Sequence, residues 1–147
     1  MRKTYIYIIH SALFIAFCVY AEAQQVGKLP RIGFQTDAPF PALAARIEGF
    51  RQGLRELGYA EGKNIVIEWR SAEGKPERCS EIAAELMRLK PDVIVSAGPT
   101  NTRILRELTT NIPIVMAQDT DPVGSGFIAS LAKPGGNITG LSALAPR

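Results

Sequence analysis

From Arg31 onward the chain alternates short apolar runs with amphipathic stretches, and this alternation narrows the possible folds more than any other feature. RIGF, NIVIEWR, DVIVSAG, IPIVMA and NITGLS read as five strands, bounded by turn residues and rich in β-branched side chains. Between the first two, Leu43, Ile47, Phe50, Leu54 and Leu57 recur at spacings of four, three, four and three, which is one face of a helix. Gly58 stands where a left-handed residue closes such a helix. Pro76 suits the first position of a second helix, marked by Ile82, Ala83, Leu86 and Leu89 and stopped by Lys90-Pro91. Pro99 to Leu108 reads as a third helix, and Gly126 to Lys133 as a short fourth one stopped by Pro134-Gly135-Gly136. The third run is continuously apolar, which suits a strand buried on both faces.

An alternation of this kind specifies an α/β class, a doubly wound, mostly parallel five-stranded sheet. The common strand order is 2-1-3-4-5, with right-handed crossovers. In that order the first, third and fourth strands are neighbours. Ligands of open parallel sheets bind beyond the carboxyl ends of the strands. The loops after those three strands therefore share one rim.

The N-terminus is of another kind. Arg2 and Lys3 precede an apolar run from Tyr5 to Tyr20, and Ala21-Glu22-Ala23 is an A-x-A site. This order marks residues 1–23 as a secretory signal peptide and 24–147 as the mature chain. The run is short for a membrane-spanning helix, which wants about 20 apolar residues. Cys18 does not fit a lipoprotein cysteine, because the bulky Phe17 precedes it. Cleavage has a chemical consequence. The chain has one histidine, His10, and it leaves with the leader. The mature chain keeps one thiol, Cys79, inside the helical pattern PERCSEIAAEL, where it reads as a half-buried filler. A Ser-His-Asp or Cys-His nucleophile cannot be assembled, nor a histidine- or cysteine-based zinc site, nor an internal disulfide. Taking Arg2, Lys3 and Glu22 from 17 basic and 14 acidic residues leaves 15 and 13, spread along helices. Nothing in that balance asks for nucleic acid.

The rim loops carry the candidate site. Gly98-Pro99-Thr100-Asn101 opens a helix whose unpaired N–H groups and positive dipole end suit a small anion such as a carboxylate. The same residue types also serve as ordinary caps. Asp119 and Asp121 accept charge-assisted hydrogen bonds and would hold an ammonium group; Asp121 before Pro122 is equally a helix-start signal. Thr36 and Asp37 share this ambiguity. Phe34 and Trp69 read as core, and Phe40, between two prolines, as the aromatic best placed to meet a ligand ring. No GxxxxGK[ST] or strand-linked GxGxxG is present, Gly124-Ser125-Gly126 is too short to count, and Asn137-Ile138-Thr139 matches a glycosylation sequon only inside a strand pattern. No cofactor is implied.

These letters also resemble a known family. GFRQGLRELGYAEGKNIVIEWRSAEGKPER, AAELMRLKPDVIVSAG and IPIVMAQDTDPVGSGFIASLAKPGGNITGLS are similar to the first lobe of the ABC-transporter substrate-binding family often labelled tryptophan/tyrosine transport. The resemblance runs from Leu29 to Ala145. It implies one lobe of a type I periplasmic binding protein and a non-enzymatic role. A small solute, such as an amino acid, would be trapped between two lobes outside the cytoplasm and delivered to an ABC permease. The family's first-lobe contacts map onto Thr36-Asp37-Ala38, Gly98-Pro99-Thr100 and Asp119-Thr120-Asp121. Asp119 is an extra acid here, and Thr36-Asp37 replaces the family's serine or glycine. Family members are longer, so residues 24–147 are read as the first lobe with the second absent. Two alternatives stay open: a ligand-sensing module for a membrane receptor, and a carboxylate-dependent enzyme on a flavodoxin-like lobe.

Overall fold

The computed structural model describes residues 28–143, so the expected leader at 1–23 lies outside the described residues. Strand β1 (Arg31–Thr36) leads through a 3-10 turn (Phe40–Leu43) into helix α1 (Ala44–Glu56). Strand β2 (Val66–Ser71) follows, then a second 3-10 turn begun by Pro76 and helix α2 (Cys79–Arg88). Strand β3 (Val93–Ala97), helix α3 (Pro99–Leu108), strand β4 (Ile114–Asp119) and strand β5 (Ile138–Ser142) complete the lobe. All five strands are parallel, in the order β2-β1-β3-β4-β5. This is the sheet expected from the sequence.

The strand alternation assigns each face. Ile94 of β3 and Ile114 and Met116 of β4 point toward α2 and α3, where they pack with Ala83, Leu105, Phe127, Ile128 and Ile138. Leu86, Leu105, Ile94 and Ile114 are fully buried, and each contributes about 1.5–3 kcal/mol through removal from water. On the opposite face, Ile32, Phe34, Ile67 and Val95 pack under α1 against Phe50, Leu54 and Trp69. Trp69 is fixed by edge contacts from Phe40 and Phe50, by the Arg51 guanidinium 4.7 Å from its ring centre, and by an Nε1–H donated to Glu61. Helix α1 lies over β1 and β2. The α1 face of β3, β4 and β5 holds an apolar hollow of about 400 Å³, lined by Val95, Ala97, Val115 and Leu141 among others. Leu141 is 72% exposed there.

Two expectations change. The stretch from Gly126 to Lys133 forms no helix. A single turn closes earlier, with Ser125 N–H donating to Asp121 O and Phe127 N–H to Pro122 O. Gly126 ends it at φ +68°, a left-handed conformation that stops a helix instead of starting one. Phe127 and Ile128 then drop into the core. Cys79 is fully buried, not half-buried, and its carbonyl accepts from Gln35. Burial raises the Cys79 thiol above its ordinary pKa, with Asp37 and Glu77 adding to the rise. We expect alkylating reagents to modify Cys79 only after unfolding, since the thiolate is the nucleophile. Peptide mapping before and after urea checks this; rapid native labelling would contradict the burial.

Asn137, the sequon residue, spends its side-chain amide on the carbonyls of Thr109 and Ile112. Its role in this lobe is to tie the α3–β4 connection to β5.

Candidate functional site

The carboxyl ends of β1, β3 and β4 lie side by side, so the loops after them form one edge. A cleft of about 210 Å³ opens there. Thr36, Asp37 and Ala38 line it from the first loop, Ala97, Gly98 and Pro99 from the second, and Gln118 and Thr120 from the third. Leu43 and Arg46 complete the wall from the start of α1. Of the eight residues the sequence singled out, Thr36, Asp37, Gly98 and Pro99 meet in this cleft.

The second loop is shaped by backbone geometry. Gly98 precedes α3 with φ 111°, a conformation open to glycine and not to most side chains. A Cβ on Gly98 would lie 3.7 Å from Asp37 Oδ1 and 3.8 Å from Asn101 Nδ2. Those are ordinary contact distances, so it is the backbone conformation that calls for glycine here; they also place the Asp37 carboxylate beside the start of α3, whose dipole favours a negative charge. Pro99 occupies the first helical position, as expected, and Thr100 is exposed beside it without lining the cleft.

Asn101 and Asp119 sit beneath the rim, each fully buried. Asn101 donates to Ala97 O and accepts from Gln35 Nε2, 2.9 Å away. Gln35 Nε2 also donates to Cys79 O. Asp119 accepts from Thr102 Oγ1 at 2.9 Å, and Thr102 shares a 2.7 Å bond with Ser96. Asp119 Oδ1 has no partner among the described residues. Burial accordingly raises the Asp119 carboxyl above its ordinary pKa, and the Thr102 hydrogen bond only partly opposes this.

A bulge explains why Asp119 faces inward. Met116 pairs with Gly140 and Asp119 with Ser142, so β4 carries one residue more than β5 between those pairs. Ala117 and Gln118 are exposed in succession, and both line the apolar hollow. Strict alternation would have put Asp119 on that side too. The extra residue turns it to the α3 side instead.

Asp121 is exposed, and its Oδ1 accepts from Gly124 N–H at 2.8 Å. The capping bond allowed by the sequence is thus present. A side chain at position 124 would displace the Asp121 carboxylate from this position. Asp121 does not line the cleft, nor does Phe40, which packs edge-on against Trp69. Sequence reasoning missed Arg46. Its one signal was local: a cation in the first turn of a helix, where the dipole disfavours positive charge.

Among the described residues no group of three or more histidine, cysteine, aspartate or glutamate side chains could hold a metal ion, and no helix is long and apolar enough to cross a membrane.

Comparison with known proteins agrees with this fold. The family described as ABC transporter substrate binding protein matches residues 37–146. A tyrosine-binding protein of Clostridioides difficile is 34% identical over 115 residues, covering 78% of this chain and 33% of the relative. A solved conserved domain protein from Vibrio cholerae is 37% identical, with a TM-score of 0.75 over 81% of this chain and 40% of that one. A ligand-free, open substrate-binding protein with adhesive properties from Clostridium difficile is 30% identical, with a TM-score of 0.74 over 80% and 40%. A Streptococcus pneumoniae domain solved with L-Trp is also 30% identical, with a TM-score of 0.72 over 78% and 39%. The chain thus spans about a third of the length of the curated relative and about two fifths of the solved ones.

Proposed function

We propose, from the premise that this chain belongs to the ABC transporter substrate-binding protein family, that it binds a small solute, an amino acid, in the cleft above β1, β3 and β4. The observation that carries this reading is the convergence of three loops on one hollow at the carboxyl edge of a parallel sheet, where such folds take ligands. The relatives' printed ligands, tyrosine and L-Trp, point to amino acids with a large side chain. We read the chain as the extracytoplasmic binding component of an importer, acting without catalysis and handing its ligand to a membrane permease. Acid/base chemistry needs a second titratable partner within reach of the first. Asp37 is the one carboxylate among the residues lining the cleft.

In such a protein, closure of two lobes around the ligand is what ligand binding stabilises. The described residues form one such lobe, and one lobe by itself leaves half the ligand surface in water, whereas small-molecule sites bury most of it. We therefore expect this chain to bind L-tryptophan or L-tyrosine with a Kd of about 1 mM or weaker, about −4 kcal/mol. Titration of the ¹⁵N-labelled chain checks this. Amide shifts should concentrate at residues 36–38, 97–100 and 118–121. No shift with any amino acid would overturn the reading; micromolar affinity would overturn the argument that one lobe leaves the ligand half exposed.

A further inference from the structure

The cleft holds one side chain of each charge. Asp37 is half-buried in the first loop, and the exposed Arg46 lines the same cleft from the first turn of α1. Neither makes an ion pair among the described residues, with the other or with any third group. Glu48, the acid nearest Arg46 in sequence, is engaged by Arg55 at 2.7 Å. The only hydrogen bond that the Arg46 side chain makes among the described residues goes to the Gln118 side-chain oxygen, a neutral acceptor that leaves its charge uncompensated. The first turn of α1 has no acidic residue to offset this cation against the helix dipole. Two opposite charges on one hollow, not paired with each other, fit an occupant that carries both.

We infer that Arg46 is the ligand-carboxylate receptor and Asp37 the ammonium receptor, so the cleft selects a zwitterionic head group. This rests on the amino-acid reading above and deepens it. It also reverses one sequence-based expectation. The start of α3 already has the Asp37 carboxylate against it, so the ligand's positive end belongs there and its negative end toward α1. The guanidinium suits this task because its planar fork meets a carboxylate with two parallel N–H donors. Gln118 holds the fork in place while the cleft is empty and gives up its place as acceptor when a carboxylate arrives.

The test is a ligand-by-variant cycle on the full chain, read by ¹⁵N titration. The probes are L-tryptophan, tryptamine (which lacks the carboxylate) and indole-3-propionate (which lacks the ammonium). Arg46→Gln should weaken L-tryptophan about tenfold and leave tryptamine within about twofold. Asp37→Asn should weaken L-tryptophan and tryptamine and spare indole-3-propionate. Arg46→Lys, which keeps the charge and loses the fork, should fall between. Equal loss of all probes on Arg46→Gln, or no loss of L-tryptophan, would overturn the assignment while leaving the functional reading standing. Failure of the unsubstituted chain to bind L-tryptophan or any other amino acid would overturn the functional reading, and this assignment with it.

Discussion

Replacing Gly140 with alanine is expected to destabilise the lobe by about 3–4 kcal/mol and to release β5 from the sheet. Gly140 sits at φ +137°, in a region that side chains rarely enter. A Cβ built there would overlap the backbone nitrogen, carbon and oxygen of Met116 on β4. No rotamer change relieves that overlap, since the obstacle is main chain. The strands must part, and the β4–β5 ladder from Ile114–Ile138 to Met116–Gly140 goes with them. Ile138, 2% exposed, then loses its place against Ile114 and Met116. With whole domains stable by only about 5–15 kcal/mol, such a loss is a large share of the total. Urea denaturation gives the magnitude, and hydrogen exchange should show amides 138–142 losing protection first. Gly136→Ala is the control. Nothing lies within 4 Å of a Cβ there, and its effect should stay within about 0.5 kcal/mol. Equal stability of the two variants would mean that β5 does not approach β4 as described.

The second large effect is expected at Thr102. Its hydroxyl donates to the buried Asp119 carboxylate and accepts from the Ser96 hydroxyl. Thr102→Val keeps the shape and removes that donor, leaving both carboxylate oxygens without a partner. A hydrogen bond to a charged group is worth about 1.5–3 kcal/mol, and we expect a loss of that order at pH 8. The loss should depend on pH with a defined sign. Burial raises the Asp119 carboxyl above its ordinary value of 3.8, so the folded chain holds this proton more tightly than the unfolded one. The stability contributed by this group is fully present below 3.8 and is lost as pH rises through the raised folded value. Above it the ion depends on Thr102. Thr102→Val should therefore cost more at pH 8 than at pH 4. Asp119→Asn, which cannot ionise, should gain on the unsubstituted chain as pH rises over the same window. Comparing variants at each pH cancels the titration of the exposed carboxylates. A Thr102→Val penalty independent of pH would mean that Asp119 is not ionised beside it.

How much of this was legible in the sequence depends on the range of the interaction involved. The five strands and three main helices were readable because their signals are local: apolar period, prolines at helix starts, glycine at position 58 with φ +85°. The convergence of three loops followed, because a parallel sheet of alternating strands and helices has few possible windings. The short helix at 126–133 was misread because Gly126 opens a helix and closes one equally well on paper. Its left-handed φ depends on where Phe127 and Ile128 find the core.

The candidate site divides along the same line. The sequence alone determined that Thr36, Asp37, Gly98 and Pro99 would share a border, since each follows a strand whose neighbours the winding rule names. Only the tertiary structure decided that Asp119 turns inward and Arg46 faces the cleft. The first outcome hangs on one extra residue in β4, which exists only by pairing with β5. The second hangs on where the first turn of α1 packs against the loops after β1, β3 and β4. Both are relations between segments far apart in the chain, and hydrophobic period and turn chemistry carry information only about neighbours a few residues away.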